Sequence, residues 1–156
     1  GLEVFEEVSA KYNKCKLCMF GMCDNSNLPN YVEYYQNPTK QKLVDLYSDA
    51  DIFLFPSLEE GWGLTPLEAM ACGCIVVGTN TGFVLDIGKN EENMMISEPG
   101  NLKQMRENID IILNNKDLRN NIIENAIKTV EKLNWNNSCA QLEKILKTTC
   151  KIEERR

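Results

Sequence analysis

The chain has 156 residues, of which 43% are hydrophobic, and it carries a net charge of −6. This length suits one domain with a normal core, and the acidic balance argues against a nucleic-acid-binding face, which would need clustered Lys and Arg. Because the sequence contains no histidine, mechanisms that need imidazole as a base, a triad member or a metal ligand are excluded within it.

The chain begins with a predicted helix and two predicted strands. Apolar residues recur at helical spacing over residues 2–13, which predicts an amphipathic helix. Two extended patterns follow, at 16–20 and 31–35, and a loop rich in Asn, Asp and Pro separates them. Gly21 ends the first of these strands and begins that loop.

A second helix and a third strand lead to the centre of the sequence. Asn37-Pro38-Thr39 breaks the second strand and caps a helix that carries Tyr47. Residues 51–55 show no alternation of apolar and polar side chains, so we predict a strand buried on both faces under helices. The chain leaves this strand at its C-terminal end, which is where ligands bind in open α/β sheets.

The next helix carries clear start and stop signals. Thr65 fits the N-cap position and Glu68 the N3 position of a capping box. Pro66 fits the first helical position, where its missing N–H is not needed. Gly73 fits the residue that ends a helix in a left-handed conformation. The predicted helix therefore covers 65–72.

Two glycines precede this helix, and two glutamates flank its start. Gly61 and Gly63 let the backbone approach a ligand and aim free N–H groups at it, which suits an anion such as phosphate. Glu60 and Glu68 cannot favour phosphate by charge, so we assign them to hydroxyls of a sugar or ribose. From the residues alone, Glu68 is equally well explained as a cap, and the glycines as turn residues. NAD or FAD is discounted because Pro66 replaces the third glycine of a dinucleotide fingerprint.

The second half of the chain continues the alternation and then becomes helical. A strand is predicted at 74–78, a short helix near Val84–Ile87 and an edge strand within 93–97. Thr81-Gly82 could face a ligand, but an ordinary helix cap is the preferred interpretation. Three amphipathic patterns complete the chain. Strands that alternate with helices predict an α/β fold with a Rossmann-like, doubly wound parallel sheet.

Seven cysteines and no signal peptide predict free thiols in a reducing, cytoplasmic compartment. Cys15-x-x-Cys18 followed by Cys23 resembles half of a zinc or redox site. On a strand, however, positions three apart point to opposite faces and cannot share one metal, so we predict small buried thiols instead. No apolar stretch approaches the roughly 18 residues that span a bilayer, and peripheral association through parts outside this sequence stays an alternative.

The surroundings of Glu60 and Glu68 resemble a known motif. Seven residues separate the two glutamates, and Gly-Trp-Gly-Leu and Leu-Glu-Ala-Met-Ala-Cys-Gly accompany them. This pattern resembles the E-x7-E motif of retaining GT-B glycosyltransferases of family 4, in their nucleotide-sugar-binding C-terminal domain. The resemblance extends along nearly the whole chain, which implies a partial donor-binding domain at 1–150 and a charged tail at 151–156.

The resemblance implies roles for individual residues. The family's second glutamate holds the nucleotide's ribose hydroxyls and the first contacts the donor sugar, which implies these roles for Glu68 and for Glu60, the catalytic candidate. Gly21 has a plain turn as its equal alternative, and Gln36 and Asn37 could be ordinary polar residues of a loop. The further donor-binding candidates are Gly61, Trp62, Gly63, Leu64, Gly21, Gln36 and Asn37.

The resemblance also implies a function. The family transfers a sugar with retention from a nucleoside diphosphate sugar to an acceptor, such as a glycan, a lipid-linked sugar or a small molecule, and needs no metal or other cofactor. Its central first strand, an Arg/Lys loop and an N-terminal acceptor domain have no counterpart here, so we expect a fold incomplete at its N-terminus and an isolated chain without activity. The alternatives are a GT-B epimerase or phosphorylase, or a truncated, non-catalytic nucleotide-sugar-binding module.

Overall fold

The computed structural model describes residues 1–13 and 15–149, in which helices and parallel strands alternate. The helices are α1 (Leu2–Lys11), α2 (Lys40–Asp49), α3 (Leu64–Ala71), α4 (Val84–Ile87), α5 (Leu102–Asn114), α6 (Lys116–Val130) and α7 (Trp135–Thr149). The strands are β1 (Leu17–Gly21), β2 (Val32–Gln36), β3 (Ile52–Phe55), β4 (Ile75–Thr79) and β5 (Met95–Ser97). The predicted order of elements is confirmed, and the first four strands begin one residue later than predicted. The predicted charged tail at 151–156 lies outside the described residues.

The strands form two parallel sheets. β1 pairs with β2 in one sheet, and β4 pairs with both β3 and β5 in the other. The α/β class with parallel strands is therefore confirmed. β3 is an edge strand of its sheet, and this explains why Ile52, Phe53 and Leu54 are only half-buried, although the apolar run predicted burial on both faces.

Helices cover both faces of the three-stranded sheet. Because successive side chains of a strand point to opposite faces, Val76 packs on the face that also receives α2 and α3, while Ile75 and Val77 pack on the face that receives α1 and α5. All residues of β4 are buried. Full burial of one Val or Ile side chain stabilises the fold by about 1.5–3 kcal/mol, so this strand forms the centre of the core.

Two helix termini show how local signals position the elements around the site. Thr39 caps α2 as predicted, since its hydroxyl accepts a hydrogen bond from the Lys42 amide at 3.2 Å. Gly73 follows the end of α3 with a φ of +82°, the left-handed conformation predicted for it. These signals succeed because they involve only neighbouring residues.

The last helix, α7, differs from the others because none of its residues is buried. Its apolar side chains, including Trp135 and Ile145, are exposed. Among the helices of the described residues, none combines the length and apolar character needed to cross a membrane.

Candidate active site

The glycine-containing loop after β3 leads directly into α3. The helix begins at Leu64 with Gly63 as its N-cap, at a φ of +89° and without a side-chain cap. A side chain at this position would lie 3.0 Å from the Phe55 ring, so both the conformation and the close packing require glycine. The predicted capping box of Thr65 and Glu68 is therefore wrong, because the turn at Gly63 starts the helix two residues earlier.

Glu68 lies one full turn inside α3 and is exposed. Its carboxylate Oε2 accepts a hydrogen bond from the Tyr47 hydroxyl at 3.1 Å. Tyr47 belongs to α2 and is 3% exposed. Burial, and then the negative charge of Glu68, raise the pKa of this phenol. Glu68 is thus not a helix cap, and one of its oxygens is held by a buried donor.

Glu60 lies in the loop, folded back on the backbone. The Gly61 amide donates a hydrogen bond to its Oε1 at 3.0 Å. The aliphatic part of Glu60 packs against Gly82, where a side-chain carbon would come within 3.0 Å of the Glu60 Cγ. The exposed Glu60 side chain is therefore held by contacts with two glycines.

A second loop, which follows β4, fixes the position of the first. The Phe83 amide donates a hydrogen bond to the Trp62 carbonyl at 2.8 Å. Gly82 has a φ of +56°, and a Cβ there would lie 2.6 Å from the same carbonyl oxygen. Only glycine allows the two loops to approach so closely. The sequence pattern around Gly82 does not predict this contact, because the contact joins two separate loops.

Threonines at the end of β4 make a further connection between the loops. The Thr79 hydroxyl donates a hydrogen bond to the Ser57 carbonyl at 2.6 Å and lies 3.3 Å from the Thr81 hydroxyl. The expected helix cap at Thr81 is wrong, because α4 has Phe83 as its N-cap and makes no side-chain cap. The buried Thr81 hydroxyl is instead directed towards Thr79.

The remaining predicted site residues lie at the C-terminal ends of β1 and β2. Gly21 and Gln36 are register partners, and the Asn37 amide donates to the Gly21 carbonyl at 2.9 Å. A Cβ at Gly21 would lie 2.9 Å from the Tyr34 hydroxyl. The absence of a side chain at Gly21 thus leaves room for the Tyr34 hydroxyl, and the side-chain amide of Gln36 donates a hydrogen bond to the Met22 carbonyl at 3.3 Å.

The candidate residues therefore form two groups, one on each sheet. Gly61, Trp62 and Gly63 lie with Glu60 and Glu68 after β3, whereas Gly21, Gln36 and Asn37 lie after β1 and β2. Tyr47 contacts both sheets, through Phe20 of β1 and Phe53 of β3. From the sequence, Tyr47 is predicted only as an apolar position of a helix. Its hydroxyl could have indicated a polar contact, since a buried Tyr hydroxyl usually has a hydrogen-bond partner.

A groove of about 570 Å³ runs beside α3 and reaches the start of α7. This volume lies in the range of pockets that bind small ligands. Three of the predicted donor-binding residues line it, namely Trp62, Leu64 and Glu68. On the far side the groove is bounded by Leu133 and Trp135.

The N-terminal cysteines differ from prediction. Cys15, Cys18 and Cys23 are free and exposed, so the prediction of buried thiols is wrong there, because Cys15 precedes β1 and that strand has few neighbours. Cys74 is buried, and burial raises the pKa of its thiol to about 12. Over residues 1–13 and 15–149, no three His, Cys, Asp or Glu side chains are placed to hold one metal ion.

Parallel strands with a glycine-containing loop and a helix at their C-terminal ends define a Rossmann-like α/β domain. The sequence profile of the family described as glycosyl transferases group 1 matches residues 2–129. The chain belongs to this family.

A curated relative is a glycosyltransferase, and two solved structures share the fold. The chain is 29% identical over 139 residues to the capsular polysaccharide biosynthesis glycosyltransferase CapM of Staphylococcus aureus, covering 83% of this chain and 37% of CapM. It superimposes on sucrose-phosphate synthase of Thermosynechococcus elongatus with a TM-score of 0.78 at 22% identity, over 98% of this chain and 43% of that one. Anabaena HepE, solved in complex with UDP and glucose, gives a TM-score of 0.77 at 17% identity, over 95% and 45% of the two chains. The chain thus spans less than half of each of these proteins.

Proposed function

We propose that the chain is the donor-binding domain of a retaining glycosyltransferase, which moves a sugar from a nucleoside diphosphate sugar to an acceptor when joined to an acceptor-binding domain. The observation that carries this proposal is the arrangement of Glu68. Because it is not a cap and Tyr47 engages only one of its oxygens, the carboxylate is free to bind hydroxyls. The UDP and glucose bound to HepE, a protein of the same fold, support a nucleotide sugar as the donor.

The two glutamates have different roles in this proposal. Glu68 accepts hydrogen bonds from the ribose hydroxyls of the nucleotide, beside the groove that Trp62 and Leu64 also line. Glu60 contacts hydroxyls of the donor sugar from the loop that precedes α3. Both assignments use carboxylates as acceptors, which is the chemistry that neutral hydroxyl donors require.

The loop between Gly61 and Leu64 provides the electrostatic part of the mechanism. As the nucleoside diphosphate leaves, negative charge develops on it, and backbone N–H groups at the start of α3 stabilise that charge. Gly63, packed against the Phe55 ring, and Gly82, packed against the Trp62 carbonyl, hold these amides in place. The site residues need no metal ion for this step. Gly21, Gln36 and Asn37 extend the donor site towards the phosphates and the base.

Substitution of the two glutamates tests the proposal. The whole protein is here this chain joined to its acceptor-binding domain. In that protein, Glu68→Ala should weaken binding of uridine or guanosine diphosphate by about ten- to hundredfold, because hydrogen bonds to charged groups contribute about 1.5–3 kcal/mol. Glu60→Ala should leave nucleotide affinity unchanged but lower turnover or alter the choice of donor sugar. Isothermal titration calorimetry and product analysis measure the two effects.

Glu59→Ala is the matched control, because Glu59 is an exposed carboxylate beside Glu60 with no assigned contact. It should change neither affinity nor turnover. Equal nucleotide affinity for the unsubstituted protein and Glu68→Ala would remove the ribose role from Glu68. Product with inverted stereochemistry at the transferred sugar would contradict retention.

Residues 1–156 alone should bind nucleotide weakly and transfer no sugar. Transfer requires an acceptor held in near-attack geometry, and this alignment can account for roughly 7–11 kcal/mol of a barrier. The chain spans 37% of CapM and 43% of the sucrose-phosphate synthase chain, which leaves most of such proteins to supply the acceptor site. Measurable turnover by the isolated chain would contradict this expectation.

A further inference from the structure

We infer that Tyr47 is a positioning residue for the donor site, because its buried hydroxyl holds one oxygen of Glu68 and thereby aims the other at the ligand. The inference rests on the proposed function, since it concerns the ribose contact assigned to Glu68. It gives Tyr47 no contact with the nucleotide. Its action is through Glu68 alone.

The ring of Tyr47 is fixed from two directions. It makes edge-on contacts with Phe20 of β1 and Phe53 of β3, at centroid distances of 5.8 and 5.7 Å, and such contacts are favourable. These two phenylalanines belong to different sheets. With 3% of its surface exposed, Tyr47 has little freedom to rotate, so the position of its hydroxyl is set by the core.

The hydrogen bond has a defined direction. An ionised carboxylate can only accept, so the Tyr47 O–H donates to Oε2 of Glu68. A phenol is protonated at neutral pH at its ordinary pKa of about 10, and burial and the neighbouring carboxylate raise the pKa of Tyr47 further. Without this bond, the exposed glutamate would be free to rotate and would lose more rotamer freedom on binding a ligand.

Tyr47→Phe tests this inference because it removes the hydroxyl and keeps the ring between Phe20 and Phe53. In the whole protein, calorimetric titration with uridine and guanosine diphosphate should show affinity about three- to tenfold weaker, the range expected for one hydrogen bond. Tyr31→Phe is the matched control. It removes a Tyr–Glu hydrogen bond of 2.6 Å, to Glu6 on α1, and should leave nucleotide affinity unchanged.

A double-mutant cycle separates positioning from a general structural effect. If Tyr47 acts through Glu68, then Tyr47→Phe should have no further effect in protein that already carries Glu68→Ala. Equal losses in both backgrounds would overturn the inference, as would unchanged affinity of Tyr47→Phe when Glu68→Ala alone weakens binding. Two other results would contradict the proposed function itself. One is that the unsubstituted protein binds neither nucleotide, and the other is that Glu68→Ala binds nucleotide with the same affinity as the unsubstituted protein.

Discussion

The two sheets of this molecule differ sharply in packing. In the three-stranded sheet, all residues of β4 are buried, whereas no residue of β1 or β2 is buried in the two-stranded sheet. β4 has a strand on each side and helices on both faces, while β1 and β2 have one strand partner each. Glu60 and Glu68 therefore stand on the well-packed part of the protein, and the predicted contacts at Gly21, Gln36 and Asn37 stand on the thinly packed part.

This difference indicates a division of tasks in the proposed donor site. Precise hydrogen bonds need rigid support, and the loops around Glu60 have it through Gly82 and Thr79. Regions with few buried apolar contacts open more easily, so the end of β2 is where we expect local opening. Tyr47 links Glu68 to both regions, because it contacts Glu68, Phe20 of β1 and Phe53 of β3.

The largest expected effect comes from truncating matched phenylalanines in the two regions. Phe83 is fully buried and packs against Phe55 at a centroid distance of 6.1 Å. Phe83→Ala should lower the free energy of unfolding by about 3–5 kcal/mol through loss of burial and formation of a cavity. Phe20→Ala, at a half-buried position of β1, should lower it by about 1–2 kcal/mol. Urea unfolding of both variants measures the difference, and equal losses would contradict the difference in packing between the two regions.

Much of this architecture follows from local patterns. The periods of apolar residues predicted the order of helices and strands, and Gly73 predicted the end of α3, because each depends on neighbouring residues. The capping box at Thr65 failed because the conformation of Gly63 depends on packing against Phe55, which lies in the preceding strand. A local rule could not include that contact.

Other features depend on contacts between distant residues. The exposure of Cys18 follows from how few neighbours β1 has, and a strand pattern does not reveal its position in a sheet. The bond from Tyr47 to Glu68 joins residues 21 apart in sequence. The approach of Gly82 to Trp62 likewise joins two loops. The E-x7-E spacing made the two glutamates candidates, but it does not indicate which residues contact them.

An intermediate effect is expected where the two loops meet. Gly82→Ala should destabilise the protein by about 1–3 kcal/mol, since it places a side chain in a left-handed conformation and 2.6 Å from the Trp62 carbonyl. Gly61→Ala is the matched control for stability, because a Cβ there meets nothing within 4 Å. Thermal and urea unfolding measure both. If Gly82→Ala were as stable as Gly61→Ala, the contact between the loops would not constrain the site.

The last comparison concerns pH and the thiols of the two regions, and its effect develops only above pH 9.0. Burial raises the pKa of Cys74, next to β4, to about 12 from an ordinary value of 9.0. The unfolded chain therefore loses this proton first as pH rises. The stabilisation of the folded state by the protonated Cys74 thiol is therefore fully present below pH 9.0. It decreases as the pH rises towards 12, and the free energy of unfolding falls by at most about 1.4 kcal/mol per pH unit.

Cys74→Ala should remove this contribution, so the difference in unfolding free energy between it and the unsubstituted protein should shrink steadily with pH above 9.0. Cys139→Ala, which removes an exposed thiol of α7, is the control. A thiol reagent supplies an independent measurement, because exposed Cys18 should react in the folded protein while Cys74 should react only when the three-stranded sheet opens. Comparable reaction rates for these two thiols would mean that the core around β4 opens so readily that Cys74 is as accessible as Cys18. That result would contradict the difference in packing between the two sheets.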